Sequence, residues 1–359
     1  MMSAPDNIVI TAWSAVSPFG IGQKSFTDGV AIGRPAVSVL DRARWDGPDE
    51  RACLVPGFEV REVLGKGTRA MNRVAGLAVT TVGRLIESVD PGRTWAEDTA
   101  IVLGTSTGSS QSTMDIIRAS LTGERPYDVE PSLVPYAVMN CAAGQCAIWY
   151  GLKGPNATLA AGRPTGLTAL SYARRLLLTG RAKRVLCGAA EEYSADRAWI
   201  DFHARGGGDA ILGEGCAVFA VELASAATTE PVATVLAVDS RSCVDGDWQA
   251  MTARCVQRAL AAGGSDPAEV RAVCPSGSAD TPGQAERAAL AGIFGPGVPV
   301  WDVAELIGET HAVCSAFQIA RALSAVEHGR EMAGRLVMIT STDTSGAVGA
   351  ALLRLGESR

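Results

Sequence analysis

The stretch Gly154-Pro155-Asn156-Ala157-Thr158-Leu159-Ala160-Ala161-Gly162-Arg163-Pro164-Thr165-Gly166 decides how this chain is to be read. It predicts a short strand over Thr158 to Ala161, a break at Gly162 and Pro164, and a helix from about Thr165 to Leu178. A strand, a tight turn of small residues and a helix N-terminus are the usual setting for an exposed nucleophile, because nearby backbone N–H groups can hold an oxyanion. The residue at that turn is Arg163. A guanidinium stays protonated in proteins and only donates hydrogen bonds, so it attacks nothing.

On both sides of this stretch, apolar runs of strand length alternate with segments of helical period, which predicts a layered α/β fold. Ile8 to Ala12 reads as a first strand, and Arg69 to Glu87 as a helix with Met71, Val74, Ala75, Ala78, Val82 and Leu85 on one stripe. Ala100 to Gly104 is a strand running into a Gly/Ser/Thr loop. Thr113 to Leu121 is a short helix with Met114, Ile117 and Leu121 at i, i+3 and i+7. Another strand follows the Thr165 helix, over Arg184 to Gly188. Near residue 225 the chain turns small and polar, and a second strand–helix series runs from Val232 to Val238 through to Leu336 to Thr340 and Ala347 to Leu355. Halves 1–225 and 226–359 are therefore expected to form a duplicated α/β/α unit, packed as one.

Composition narrows the function. With 47% apolar and 19% charged residues, the chain can bury a large core, which excludes disordered and fibrous classes. A formal charge of −6 offers no basic field for nucleic acid, and no Lys/Arg block suggests a membrane surface. The nine cysteines are scattered and odd in number, as expected of small buried hydrophobes in a reducing cytosol. None has metal-site spacing, so no metal is expected. Met1 to Asn7 is too polar for a signal peptide, and no apolar run reaches the roughly 18 residues of a membrane span. A cytoplasmic location is the expectation.

Three further segments carry a family likeness. They are Arg69-Ala70-Met71-Asn72-Arg73, the run from Ala143-Gly144-Gln145 to Gly151-Leu152-Lys153-Gly154-Pro155, and Leu212-Gly213-Glu214-Gly215-Cys216-Ala217-Val218-Phe219-Ala220-Val221-Glu222. In this order they resemble the Arg-x-Met-x-Arg helix start, the dimer-region loop and the Gly-Glu-Gly strand of the β-ketoacyl synthases of the thiolase-like superfamily. The resemblance runs from about Ile8 to Leu355 and implies the duplicated five-layer αβαβα thiolase-like fold.

The family performs decarboxylative Claisen condensation with one cysteine and two histidines. The resemblance puts the cysteine's place on Arg163, the first histidine's on Pro275 of Pro275-Ser276-Gly277-Ser278-Ala279, with Glu286 keeping the register, and the second's on Glu309 of Gly308-Glu309-Thr310-His311-Ala312. All three positions are replaced. The chain's histidines are His203, His311 and His328, and none falls in register. The glycine motif near the C-terminus reads Asp343-Thr344-Ser345-Gly346-Ala347-Val348-Gly349, without the family's phenylalanines. The chain is also shorter than a typical ketosynthase, with loops near Pro35 to Gly65 and Asp239 to Asp247 trimmed.

Within the family, the resemblance is nearest to the chain-length factor, the non-catalytic β-subunit of type II polyketide ketosynthases. It implies a heterodimer with a catalytic α-subunit, and an acyl carrier protein that delivers chains on phosphopantetheine. No cofactor is expected on this chain. Dimer contacts are expected across Val138 to Ala161, including Asn140, Gln145 and Thr158. The tunnel wall is expected at Ser109, Ser110, Thr113, Met114 and Ile117, in a segment without aromatic residues; small side chains there leave room for a long reduced or polyene chain. The bland reading makes Met114 and Ile117 ordinary helix core. Chain-length factors commonly carry glutamine where this chain has arginine. Because the cysteine and second histidine share one cavity, Arg163 and Glu309 are expected to pair across it.

Two enzymatic alternatives remain. Gly104-Thr105-Ser106-Thr107-Gly108 has the Gly-x-Ser-x-Gly form of a serine hydrolase elbow, for which Ser106 would need an acid and a histidine such as His311. A thiolase-like acyltransferase could instead use Cys141, Cys146 or Cys314. Gly213-Glu214-Gly215 reads as structural, the glutamate anchoring backbone groups. Glu191-Glu192 reads as a solvated loop after a strand.

Overall fold

Side-chain alternation in single strands sets the layers of this molecule. In Thr99–Gly104, Ala100 and Val102 join one apolar cluster while Ile101 and Leu103 join another on the opposite face. In Leu336–Thr342, Val337 and Ile339 join the first cluster, and Leu336 and Met338 a third. The first cluster thus lies between two sheet regions, and the others lie outside them. The computed structural model describes residues 7–357 except 93, 209 and 329. Residues 1–6, which hold most of the segment read as too polar for a signal peptide, fall outside the described residues.

The principal strands are β1 (Ile8–Ser17), β2 (Thr99–Gly104), β3 (Asn156–Leu159), β4 (Arg184–Glu191), β5 (Gly215–Leu223), β6 (Ala233–Ser242), β7 (Val270–Cys274), β8 (Leu336–Thr342) and β9 (Ala347–Leu355). Their order across the sheet is β7-β8-β9-β6-β1-β5-β4-β2-β3. The halves join where β1 pairs antiparallel with β6 at Ile8↔Val235, Val9↔Thr234 and Ile10↔Ala233. In the N-terminal half β2 is parallel to both β3 and β4, and β5 is antiparallel to β4 and β1. The C-terminal half repeats this: β7 is parallel to β8 and to an isolated bridge at Val300, and β9 is antiparallel to β8 and β6.

The principal helices are α1 (Gln23–Ile32), α2 (Arg73–Val89), α3 (Ser110–Thr122), α4 (Cys141–Tyr150), α5 (Thr165–Leu178), α6 (Ala195–Ala204), α7 (Trp248–Gly263), α8 (Thr281–Phe294) and α9 (Cys314–His328). Helices α5 and α9 fill the central layer through Leu167, Leu170 and Leu176 on one and Ala316, Phe317 and Ile319 on the other. Helices α2 and α4 cover one outer face, and α7 the other. The result is the expected αβαβα sandwich, with the added feature that the two sheets are continuous along one edge.

Some element limits differ from the sequence reading. Helix α2 begins at Arg73 rather than Arg69, because Asn72 takes an extended conformation and its side chain accepts from Ala75 N–H as an N-cap. Strand β3 ends at Leu159, two residues early, because it lasts only as long as its pairing with β2. The Met114, Ile117 and Leu121 stripe is not core. Ser110 is the buried residue of α3, while Ile117 and Leu121 are exposed, so helical spacing there marks a surface rather than an interior face.

Candidate functional site

The turn after β3 is closed by contacts from the other half. Gly162 sits at φ 62°, and a Cβ there would lie 2.2 Å from the carboxyl carbon of Asp343, so glycine is required on both counts. Arg163 follows, only 8% exposed. Its backbone N–H donates to Asp343 Oδ2 at 3.1 Å and its Nε to Glu309 Oε2 at 2.8 Å. Its Nη1 lies 2.8 Å from Asp280 Oδ2 and donates to the Thr342 carbonyl at 3.3 Å. The expected Arg163–Glu309 pair is therefore present, a second carboxylate, Asp280, reaches the same guanidinium, and Asp343 takes the backbone N–H. Burial works against charge here, but Glu309 and Asp280 hold the Arg163 guanidinium above its ordinary pKa. Burial would likewise raise Glu309, yet Arg163 and His311 outweigh it and hold the carboxyl below its usual range.

The donors that could cradle an oxyanion already have partners. Ser315 Oγ accepts from Gly166 N–H at 2.8 Å and Leu167 N–H at 3.3 Å, and donates to the Arg163 carbonyl at 2.7 Å. The Arg163 N–H is occupied by a carboxylate. A negatively charged intermediate would meet repulsion at this turn instead of stabilisation.

No imidazole fills the vacated places. Pro275 is buried just after β7 and carries neither N–H nor titratable group. Its neighbour Ser276 donates through N–H and Oγ to Glu286, a fully buried carboxyl that also accepts from Thr342 Oγ1 at 3.3 Å. His311 donates its N–H to Glu309 Oε1 at 2.9 Å, and its Nε2 lies 3.2 Å from Asp201 Oδ1, at ion-pair distance but off hydrogen-bond alignment. His203 stacks on Trp199 along α6. His328 ends α9, and its side chain is outside the described residues.

The alternative nucleophiles lack activating partners. Ser106 donates to Glu191 through Oγ at 2.5 Å and N–H at 3.0 Å, with no imidazole among its partners in the described residues. Cys141, Cys146 and Cys314 are buried; burial pushes the Cys141 thiol up to about 11 and the other two well above the ordinary thiol value. Such thiols are inert at neutral pH.

Glu191 and Glu192 correct the sequence reading, since neither is solvated and each is 1% exposed. Glu192 accepts from Val74 N–H at 3.0 Å, in the first turn of α2, and from Ser109 Oγ at 2.7 Å, at the N-cap of α3. Burial pushes its carboxyl up to about 7 against the pull of these donors, with Glu191's charge adding to the rise. Two acids after a strand look like a loop because the helix ends that need them are far away in sequence. Glu214 anchors backbone as expected, accepting from Val55 N–H at 2.9 Å, Tyr193 N–H at 3.0 Å and the Arg73 guanidinium.

The residues assigned to a tunnel wall sit together on α3. Ser109 and Ser112 line an open cleft of about 320 Å³ whose other walls include Asn72, Trp45, Tyr193 and Glu192. Thr113 is half-buried, its Oγ1 donating to the Ser109 carbonyl at 3.0 Å, and Met114 is half-buried beside it. Of the residues assigned to a dimer interface, Asn140 is exposed just before α4, Gln145 is half-buried on α4, and Thr158 lies on the sheet-edge strand β3 with a hydroxyl that has no hydrogen-bond partner. Exposed Ile117, Leu121, Val134, Val138, Met139 and Ile148 form an apolar series along α3, the segment after it and α4. Among the described residues no helix is long and apolar enough to cross a membrane.

Comparison with known proteins agrees with this architecture. Residues 5–227 match the family model described as Beta-ketoacyl synthase, N-terminal domain. The chain is 26% identical over 364 residues to a "Putative polyketide beta-ketoacyl synthase 2" of Streptomyces virginiae, covering 90% of this chain and 87% of that one. It is 27% identical over 202 residues to 3-oxoacyl-(acyl-carrier-protein) synthase 2 of Vibrio harveyi, covering 55% of this chain and 48% of the other. The chain thus spans about half the length of several of the curated relatives it matches. Among solved structures, "The ishigamide ketosynthase/chain length factor" superposes with a TM-score of 0.92 at 42% identity, covering 98% of this chain and 99% of that chain. The AntDE:AntF complex, a type II PKS acyl-carrier protein with its ketosynthase, superposes at 0.80 with 17% identity, covering 98% of this chain and 100% of that chain, a likeness of fold alone.

Proposed function

The chain belongs to the β-ketoacyl synthase family, and from that premise we propose that it is a non-catalytic chain-length-factor subunit of a type II polyketide ketosynthase heterodimer. The observation that carries this reading is Arg163, held by Glu309, Asp280 and Asp343 at the turn where the family's nucleophile belongs. Condensation by a covalent acyl thioester needs a thiolate, donors for the developing oxyanion and a proton-handling partner. At this turn the first is a guanidinium, the second are occupied, and the third are proline and a salt-bridged carboxylate. Likeness to a structure titled as a ketosynthase/chain length factor supports the same reading.

A partner ketosynthase would bring the cysteine and histidines. The exposed edge of β3 and the apolar series from Ile117 to Ile148 fit a protein partner docked across Val138 to Ala161. The growing polyketide would ride on the phosphopantetheine of an acyl carrier protein, so this subunit holds no cofactor of its own. Its contribution is to bound the tunnel with Ser109, Ser110, Thr113, Met114 and Ile117. The lack of rings in that set favours a long reduced or polyene chain.

Tagged co-purification with a cognate type II ketosynthase tests this directly, with each subunit and the complex assayed for elongation on carrier protein. A one-to-one complex that alone elongates is the expected result. Elongation or hydrolysis of acyl groups by this chain in isolation would overturn it.

A further inference from the structure

Five segments meet around the Arg163 head group. Arg163 precedes α5; Asp280 is the N-cap of α8; Glu309 and His311 precede α9; Thr342 and Asp343 follow along the end of β8; and Asp201 reaches in from α6 through His311. Successive contacts link these segments in one chain. Asp201 faces His311 at 3.2 Å, the His311 N–H bonds Glu309 at 2.9 Å, Glu309 pairs with Arg163 at 2.8 Å, and Arg163 pairs with Asp280 at 2.8 Å. Arg163 comes from the N-terminal series of strands and helices, while its four acceptors, Glu309, Asp280, Asp343 and Thr342, all come from the C-terminal series.

The backbone is committed to the same point. A Cβ on Gly166 would lie 2.6 Å from Ala316 N, so the N-termini of α5 and α9 touch at glycine. His311 has φ 45°, alone among the described non-glycine residues in lying at positive φ. That conformation is sparsely populated by L-residues and persists where the surroundings over-determine it. Here it lets one residue present its N–H to Glu309 and its ring to Asp201.

We infer that the vacated nucleophile site is an inter-half lock: Arg163 is the cation on which the carboxylates of the C-terminal half converge, and His311 is a positioning residue that fixes Glu309 and ties the lock to α6. This stands independently of the chain-length-factor reading. The physical logic is asymmetric. A buried ion pair adds little over an apolar replacement of both partners, but deleting one partner strands the other charges in low dielectric. Removal of the Arg163 side chain would leave Glu309 and Asp280 without their cation. Restoring a cysteine there therefore breaks the lock as well as failing to supply imidazoles.

Thermal unfolding of the full-length chain tests the lock. Arg163→Ala is expected to lower Tm by about 10 °C. Guanidinium chloride at about 50 mM is expected to recover about 2 °C of that loss by occupying the vacated cation position, while equal sodium chloride does not and the wild type gains nothing. An Arg163→Ala Tm within about 2 °C of wild type overturns the proposal. Where that variant does not fold, Asp280→Asn, which touches the same guanidinium from its more open side, is read instead: a fall of about 3 °C supports the lock and an unchanged Tm overturns it. The positioning role of His311 has its own readout in amide exchange. His311→Ala, which keeps the strain and loses the ring, is expected to speed exchange along α6 about tenfold, and His311→Gly, which relieves the strain, less so. Unchanged exchange along α6 in His311→Ala would remove His311 from the lock.

Discussion

The N-terminal and C-terminal halves of this molecule use one strand plan and finish it differently. Counting strands in chain order within each half, both sheets run third, second, fourth, fifth, first, with the same pattern of parallel and antiparallel neighbours. In the N-terminal half the third position is β3, four residues long with a free edge; in the C-terminal half it shrinks to a single bridge at Val300. A short or missing edge strand is a poor template for pairing, so the plan leaves one half open to a partner and blunts the other. After the third position each half turns into a central helix, α5 or α9, and the turns carry Arg163 and Glu309. Duplication thus places the two replaced residues face to face. The fold keeps the meeting point of the halves whatever stands there, and chemistry depends only on which side chains the two turns present.

Putting the family's nucleophile back at the N-terminal turn is the strongest way to break this symmetry of cation and anion. Arg163→Cys is expected to give no condensation, because Pro275 and Glu309 still supply no imidazole. It is also expected to cost about 3–5 kcal/mol, the typical loss when one partner of a buried ion pair is removed, read by denaturant unfolding. The pH dependence carries the sign. Glu309 and Asp343 are held below the ordinary carboxylate range even though burial opposes it, Glu309 mainly by Arg163, and Asp343 by Ser345 and then Arg163. A depressed folded value gives stability that is present above the unfolded pKa and is lost as pH falls through the folded one. Wild type should therefore weaken on the acid side of the carboxylate range, and Arg163→Cys should weaken less steeply there. Gain of acyl transfer in the variant would refute the account of the dead site.

The contact between the two central helices can be probed without touching charge. Gly166→Val drives a side chain into Ala316 backbone at 2.6 Å, where nothing flexible can yield, and is expected to cost about 2–3 kcal/mol. Gly292 on α8 is the matched control, since a Cβ there meets nothing within 4 Å. Gly292→Ala should stabilise by about 0.5–1 kcal/mol through helix propensity and a less flexible unfolded chain. Equal effects at the two sites would mean that the helix junction is not a tight point.

The sequence announces local order well and distant convergence poorly. The limits of α5, Thr165–Leu178, and of β9, Ala347–Leu355, follow from period and breakers alone, because the residues that decide them are neighbours. The Arg163–Glu309 pair was legible because a family register supplied both positions. Asp280 and Asp343 were not, since each has a local role, at a helix N-cap and in a turn, that accounts for it without a distant partner. Glu191 and Glu192 were misread for a related reason. Their partners are the starts of α2 and α3 and the turn at Ser106, each more than 80 residues away. The repeated strand order was hidden too, because the third strand of the C-terminal half is a single bridge with no strand-like run.

Glu192 sharpens the comparison from the N-terminal half alone, where helix starts are satisfied by a carboxyl near its own midpoint. Burial raises it to about 7 from an ordinary value of 4.5. A raised folded pKa gives stability that is full below the unfolded value and declines as pH rises through the folded one, so the window is pH 4.5 to about 7. Over that window Glu192 should cost the wild type about 2–3 kcal/mol, at up to 1.36 kcal/mol for each pH unit. Glu192→Gln should flatten the slope, seen by urea unfolding at pH 5, 6 and 7. An unchanged slope would assign the buried charge elsewhere.

The smallest expected loss of stability is the most telling for function. Thr113 is half-buried on α3, its Oγ1 donating to the Ser109 carbonyl at 3.0 Å and the Ala137 carbonyl at 3.2 Å. Thr113→Phe should cost about 0.5–1 kcal/mol, for the lost hydroxyl hydrogen bonds, less than a change in packed core. If α3 bounds the tunnel, the ring nevertheless shortens the space available to a growing chain, and the complex with a ketosynthase should release shorter products at similar total turnover. Ser110→Phe should act in the same direction but cost more, because Ser110 is buried. Product lengths unchanged in both variants, with the heterodimer intact, would leave α3 as a plain interface helix and move the tunnel wall to another element.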